Sequence, residues 1–142
     1  MVDILDGARY FVYLSYGAKR YSLTQLKLQK LLYLAQGWSY VWDGRAAFAD
    51  DFEAWQYGPV NEKVYQTFKK YGRSEIPQEE GSFAMDDSDV RETITAVWSE
   101  YGRMTAYDLV ELTHHQQPWC DAYDRGIRIT NNSIKNYFQS TF

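Results

Sequence analysis

The sequence predicts a mainly α fold, a compact bundle of about six or seven helices with one small β-hairpin. Two observations carry this. Apolar side chains recur at three- and four-residue spacing through most of the chain, and glycines or Asp-Gly close the periodic segments. Only residues 48–57, aromatic and interrupted by Asp50-Asp51, depart from helical spacing. With 142 residues and no shift in composition, the chain is expected to form a single domain over residues 1–142.

Taken in order, Ile4, Ala8, Phe11, Val12 and Ser15 share one helical face, with Gly17 as the stop. Ser22 and Gln25 have the spacing of a capping box for the next helix, whose face is Leu28, Leu31, Leu32, Ala35 and Trp38. Leu34, Val41 and Trp42 widen that stripe, as in a central helix packed on several sides. Asp43-Gly44 ends it. Phe48 and Phe52 to Tyr57 are read as a small hairpin turning at Asp50-Asp51. Gly58 then makes a turn, and Pro59 suits the first position of a helix carrying Val60, Val64, Phe68 and Tyr71.

Residues 73–87 are polar and read as a loop. Val90, Ile94, Val97, Trp98 and Tyr101 predict another helix, closed by Gly102. Thr105 and Asp108 cap a helix bearing Leu109, Leu112 and Thr113. Pro118 opens a short one with Trp119, Ala122 and Tyr123. After residues 128–130, Asn131-Asn132-Ser133 read as the cap of a last helix packing through Ile134, Tyr137 and Phe138.

Composition narrows the function classes. Net charge is −4, unevenly divided: nine Lys/Arg against seven Asp/Glu in residues 1–71, six against twelve beyond. Seven of those acids fall between Glu75 and Glu92, beside one arginine. Such a run is a solvated loop, or a surface steering a basic protein partner. No basic stripe could neutralise several phosphates, so nucleic acid is a poor partner, Lys19, Arg20, Lys27 and Lys30 being the only candidates for it. No apolar run has the length of a membrane span, and residues 1–17 lack the basic start and cleavage site of a secretory signal. Cys120, the single cysteine, forbids an internal disulfide; a reducing cytoplasm is the expected location. Aromatic residues make up 18% of the chain, a surplus that serves cores and interface hot spots alike.

Catalytic and cofactor signals are weak. Gly58-Pro59 is no phosphate cradle: a P-loop needs several glycines and a Lys-Ser/Thr, and proline removes a donor. His114 and His115 point about 100° apart on a helix, so they do not grip one metal from one face. A Cys-His hydrolase built on Cys120 and His114 is the enzymatic alternative, although no nucleophile turn accompanies it. No cofactor site is expected. Lys30 stands out because it lies beside the apolar face of the central helix; it either reaches solvent or is buried with a partner, for which Glu53 is the candidate.

Four stretches read together add a family. LQKLLYLAQGWS (28–39), FEAWQYGPVNEKVY (52–65), LTHHQQPWCDAY (112–123) and ITNNSIKNYF (129–138) resemble the Panacea domain of SocA-like antitoxins, met also in phage-associated GepA-like proteins. The likeness runs in order through essentially the whole chain. It implies a compact helical, non-enzymatic domain that neutralises a protein toxin, commonly encoded by a neighbouring gene. Neutralisation is by direct binding or by delivery to a bacterial AAA+ protease. The motif positions are Gln29, Lys30, Tyr33, Gln36, Glu53, Trp55, Gly58, Pro59, Val60, Tyr65, Thr113, His114, Pro118, Trp119, Ile134 and Tyr137. Of these, Gln29, Lys30, Tyr33, Glu53, Trp55, Tyr65, His114 and Trp119, with neighbouring Tyr57, are the candidate partner-binding residues. Trp55, Tyr57 and Tyr65, beside a rigid turn, are expected to be partly exposed anchors.

Overall fold

A computed structural model describes all residues, Met1–Phe142, and contains seven α-helices and a three-stranded antiparallel sheet. Helix α1 (Ile4–Ser15) starts at Asp3, whose carboxylate accepts from the Leu5 amide at 2.8 Å. Helix α2 (Gln25–Trp42) is the centre of the molecule. Leu28, Leu31, Leu32, Leu34 and Ala35 are all buried, on more than one face, as the widened stripe predicts. Each buried leucine contributes about 2 kcal/mol of transfer free energy. Its cap is Thr24 rather than Ser22. Thr24 accepts from the Lys27 amide, while the Ser22 carbonyl accepts from the Lys27 ammonium at 2.9 Å.

Around α2 pack α1, α4 (Ser88–Tyr101), α5 (Ala106–His114) and α7 (Asn131–Thr141). Gly37 lets α7 approach: a Cβ there would collide with the Phe138 ring. Gln36, fully buried one residue earlier, is the polar pivot of this core. Its Oε1 accepts from the amides of Ala47 and Phe48, both at 3.0 Å, and its Nε2 donates to the Phe48 carbonyl at 2.9 Å and to Asn131 Oδ1 at 3.0 Å. One side chain therefore ties the loop after α2 to the start of α7.

The hairpin exists but turns elsewhere than expected. Strand β1 (Phe52–Trp55) pairs with β2 (Gly58–Val60), so that Gln56-Tyr57 is the turn and Asp50-Asp51 lies before the first strand. Gly58-Pro59 does not start a helix; it forms the edge strand. A proline without N–H is tolerated at a sheet edge, where no neighbouring strand demands its donor. Helix α3 (Glu62–Phe68) begins after Asn61, whose Oδ1 accepts from the Val64 amide at 3.0 Å. Residues 128–129 supply a third strand, β3 (Arg128–Ile129), on the other side of β1.

The polar stretch 73–87 is pinned at two points, since Ile76 and Met85 are buried and the Ile76 amide donates to the Leu23 carbonyl. The acidic run is largely engaged by the fold. Glu75 pairs with Arg20, Glu80 with Lys70 and the Tyr71 hydroxyl, and Asp87 with Arg45 and the N-terminal amine. Asp87 is thereby held well below the usual carboxylate range, Arg45 being the largest cause. Thr105 and Asp108 form the expected capping box of α5, and Pro118 lies in the first turn of α6 (Gln117–Arg125). The cap of α7 is Thr130, not Asn131-Asn132-Ser133: its hydroxyl accepts from the Ser133 amide at 3.1 Å, and Asn131 turns to Gln36 instead. No helix is long and apolar enough to cross a membrane.

Candidate partner-binding site

The residues singled out in the sequence converge on the hairpin, and four of them, Gln29, Lys30, His114 and Trp119, hold main-chain groups in or beside it. On its outer edge, β2 has no neighbouring strand; helix α2 takes that place with two side chains. Gln29 pairs with Asn61 as a strand residue would, accepting from its amide at 2.8 Å and donating to its carbonyl at 3.2 Å. Lys30 donates to the Pro59 carbonyl at 3.1 Å. That edge is therefore closed to strand addition.

The opposite side of the hairpin tip is held by α5 and α6. Trp119 Nε1 donates to the Trp55 carbonyl at 2.8 Å, and His114 Nε2 lies 2.9 Å from the Gln56 carbonyl. A carbonyl only accepts, so Nε2 carries the hydrogen in this contact. The two rings stack at 4.1 Å, and Tyr123 extends the stack at 4.6 Å. Gly58, at φ +108°, fits where a Cβ would stand 2.6 Å from Lys30 Cε and 3.0 Å from Thr113 Oγ1. The carbonyls of Trp55, Gln56 and Pro59, on both sides of the Tyr57 tip, are thus held by contacts outside the sheet.

Lys30 neither reaches solvent nor meets Glu53. It is fully buried with the Pro59 carbonyl as its one hydrogen-bond partner. An ammonium has three donors and wants water or a carboxylate, so burial pulls its pKa down to about 7. The sign of the consequence is fixed by linkage. Between pH 7 and the ordinary lysine value of 10.5 the unfolded chain binds a proton that the folded chain does not, so stability rises with pH across that window. Lys30→Met is expected to remove this slope. Its stability relative to the unsubstituted protein, read from urea melts, should be greatest below pH 7 and fall by a few kcal/mol, ~2–4, toward pH 10. A pH-independent difference would contradict the burial of a strained ammonium.

Glu53 is half-buried on β1, opposite Val60 and Arg128. Tyr33 is fully buried, its ring edge-on to Phe52 and Phe138 and its hydroxyl unpartnered. Burial raises its pKa well above the usual value. Gln29, Lys30 and Tyr33 hence support the hairpin from inside and offer no surface. Trp55 and Tyr65, edge to face at 4.9 Å, and the 59% exposed Tyr57 do reach the surface. With Leu26, Val60 and Gln25 they line a groove of about 330 Å³. In the sequence Gln25 stands out only as the capping-box partner of Ser22, and Leu26 not at all.

The Cys-His arrangement of a hydrolase does not form. Cys120 Sγ donates to the main-chain carbonyl of His114 at 2.9 Å rather than to its ring, and burial, aided by Asp124 and Asp121, raises the thiol pKa. His115 caps α5 and faces away toward Glu111. Nor do the four basic candidates for nucleic acid share a face: Lys27 and Lys30 are buried and Arg20 is paired with Glu75. A larger cleft of about 670 Å³ at Tyr13, Gly17 and Trp98 is lined by none of the motif residues.

Comparison with known proteins identifies relatives of the chain. Residues 28–120 match the family model described as antitoxin SocA-like, Panacea domain. The chain is also similar to Antitoxin SocA of Caulobacter vibrioides (strain NA1000 / CB15N), with 33% identity over 139 residues, covering 82% of this chain and 72% of that protein. No solved structure matches.

Proposed function

The chain belongs to the SocA-like antitoxin family of Panacea-domain proteins, and on that premise we propose that it neutralises a cognate protein toxin by direct contact, without catalysis. The observation that supports direct contact best is the clamped hairpin. Its carbonyls at Trp55, Gln56 and Pro59 are each held by a side chain from a different helix. A turn so fixed presents Trp55 and Tyr57 with little conformational entropy left to lose on binding, which is what gives interface anchors their energy.

The test is co-expression in a bacterial host with the product of the adjacent gene. Growth should be rescued, and the two proteins should purify together. A toxic neighbour that this protein neither rescues nor binds would refute the reading. The adaptor form of the same function adds a requirement for a bacterial AAA+ protease and shortens the toxin's half-life in its presence; direct masking leaves that half-life unchanged. Cys120→Ser separates the enzymatic alternative, because neutralisation by contact tolerates it without loss whereas a thiol nucleophile would not; His114→Ala loosens the hairpin under either reading.

A further inference from the structure

The sheet has two edges, and the fold treats them differently. On β2, Gln29 and Lys30 occupy the outward main-chain groups. The other edge, β3, has no strand beyond it. Pro59 decides which way its groups point. Lacking an N–H, Pro59 cannot form a hydrogen-bonded pair with Ala54, so the bonded pairs of β1 with β2 are Glu53–Val60 and Trp55–Gly58. Phe52 and Ala54 therefore turn toward β3. Phe52–Ile129 becomes the bonded pair there, and the N–H and C=O of Arg128 face away from the sheet. No turn, loop or cap hydrogen bond takes either group. The same alternation turns the Thr130 amide outward, while the Thr130 carbonyl is held by the Ile134 amide.

This edge is accessible. Gly126, Ile127, Arg128 and Thr130 are all exposed. Strand β3 joins α6 to α7, and the cleft of about 560 Å³ between these helices is lined by Ile127, Arg128 and Thr130 together with Asp121 and Asn136. A donor and an acceptor on one residue, with a second donor about 6–7 Å along the chain, match an extended main chain. A helix offers no such row, because its main-chain groups are bonded internally. An edge so short resists indiscriminate pairing, which leaves selection to the walls of the cleft. A second copy is a poor occupant. Since the Thr130 carbonyl is used within α7, an antiparallel β3–β3 contact about a twofold axis must centre on Arg128. Two arginines, each met by Asp51 only at 3.7 Å, would then stand directly opposite, which is destabilising.

We propose that an extended segment of the partner polypeptide adds to the sheet at β3. Its main chain pairs with the N–H and C=O of Arg128 and the N–H of Thr130, and one of its side chains packs on Ile127, which is 47% exposed. The proposal rests on the reading of the chain as an antitoxin that binds a protein toxin, and adds to the hairpin tip a second contact on the open edge.

Amide hydrogen exchange, read residue by residue by NMR in the whole protein with and without the co-purified product of the adjacent gene, tests it. In the protein alone the Arg128 and Thr130 amides should exchange fast and the Ile129 amide, bonded to Phe52, slowly. The complex should slow Arg128 and Thr130 by about a hundredfold or more. Arg128→Pro removes the outward donor at a position where an edge strand tolerates proline, and should weaken toxin binding about tenfold. Arg128→Ala keeps that donor and should bind as the unsubstituted protein does. The exchange measurement needs no substitution, so it decides even if Arg128→Pro fails to fold. A complex that leaves exchange at Arg128 unchanged would overturn the proposal and leave the antitoxin reading in place. Equal losses in the two variants would overturn it as well, as would protection that appears with protein concentration alone, the sign of a second copy. A toxic neighbour neither bound nor neutralised would remove the wider reading with it.

Discussion

Gly58→Ala is expected to destabilise the protein by about 3 kcal/mol and to abolish partner binding even where the fold survives. Two penalties coincide at this position. The backbone holds φ at +108°, a region that only glycine occupies without strain. The added methyl would also stand 2.6 Å from Lys30 Cε and 3.0 Å from Thr113 Oγ1. Lys30 cannot swing away, because its ammonium is buried against the Pro59 carbonyl. Relief must come from the hairpin, whose movement breaks the contacts of Trp119 and His114 with residues 55 and 56. Urea melts read the stability loss, and co-purification with the toxin reads the binding loss. A variant with unchanged stability and affinity would show that the tip is not held as tightly as these contacts require.

Gln36→Leu should be costlier still, about 4 kcal/mol. Leucine fits the volume but satisfies nothing: the buried Ala47 and Phe48 amides and the Phe48 carbonyl lose their partner, and the half-buried Asn131 Oδ1 loses its donor. At the usual scaling for a domain of this size, the melting temperature should fall by about 10 °C. The loop that carries Ala47 and Phe48 should also exchange its amide hydrogens early, ahead of global unfolding. A drop of a degree or two would mean that those groups find other partners.

The helices were legible in the sequence because each pairs an apolar stripe with a stop or a cap, as Thr105 with Asp108 illustrates. Positions within caps were less so. Ser22 and Thr24 are both hydroxyl residues ahead of α2, and only the geometry of the chain decides which side chain faces the orphan amides. The sheet was harder. Strand β3 is two residues long, too short for any periodicity, and Gln56-Tyr57 lacks the Asn-Gly or Gly-X chemistry that announces a two-residue hairpin. Gly58-Pro59 looked like a turn and helix start because both residues usually serve there; an edge strand capped by side chains of α2 removes the objection to proline. Lys30 was the one legible sign of that arrangement: a lysine beside an apolar helix face requires an acceptor, and the acceptor proved to be a main-chain carbonyl rather than Glu53. The groove was legible only in part: Trp55, Tyr57 and Tyr65 were expected beside the turn, whereas Gln25 and Leu26 join them only through packing.

Recognition through a rigid hairpin, with no bond made or broken, is tested most directly by titrating purified toxin with this protein in the absence of any protease, beside a folded Tyr57→Ser variant. Saturation at a fixed stoichiometric ratio, with affinity at least about tenfold weaker for Tyr57→Ser, is the predicted result. Loss of toxin activity at strongly substoichiometric amounts, or equal affinity of the two proteins, would contradict it.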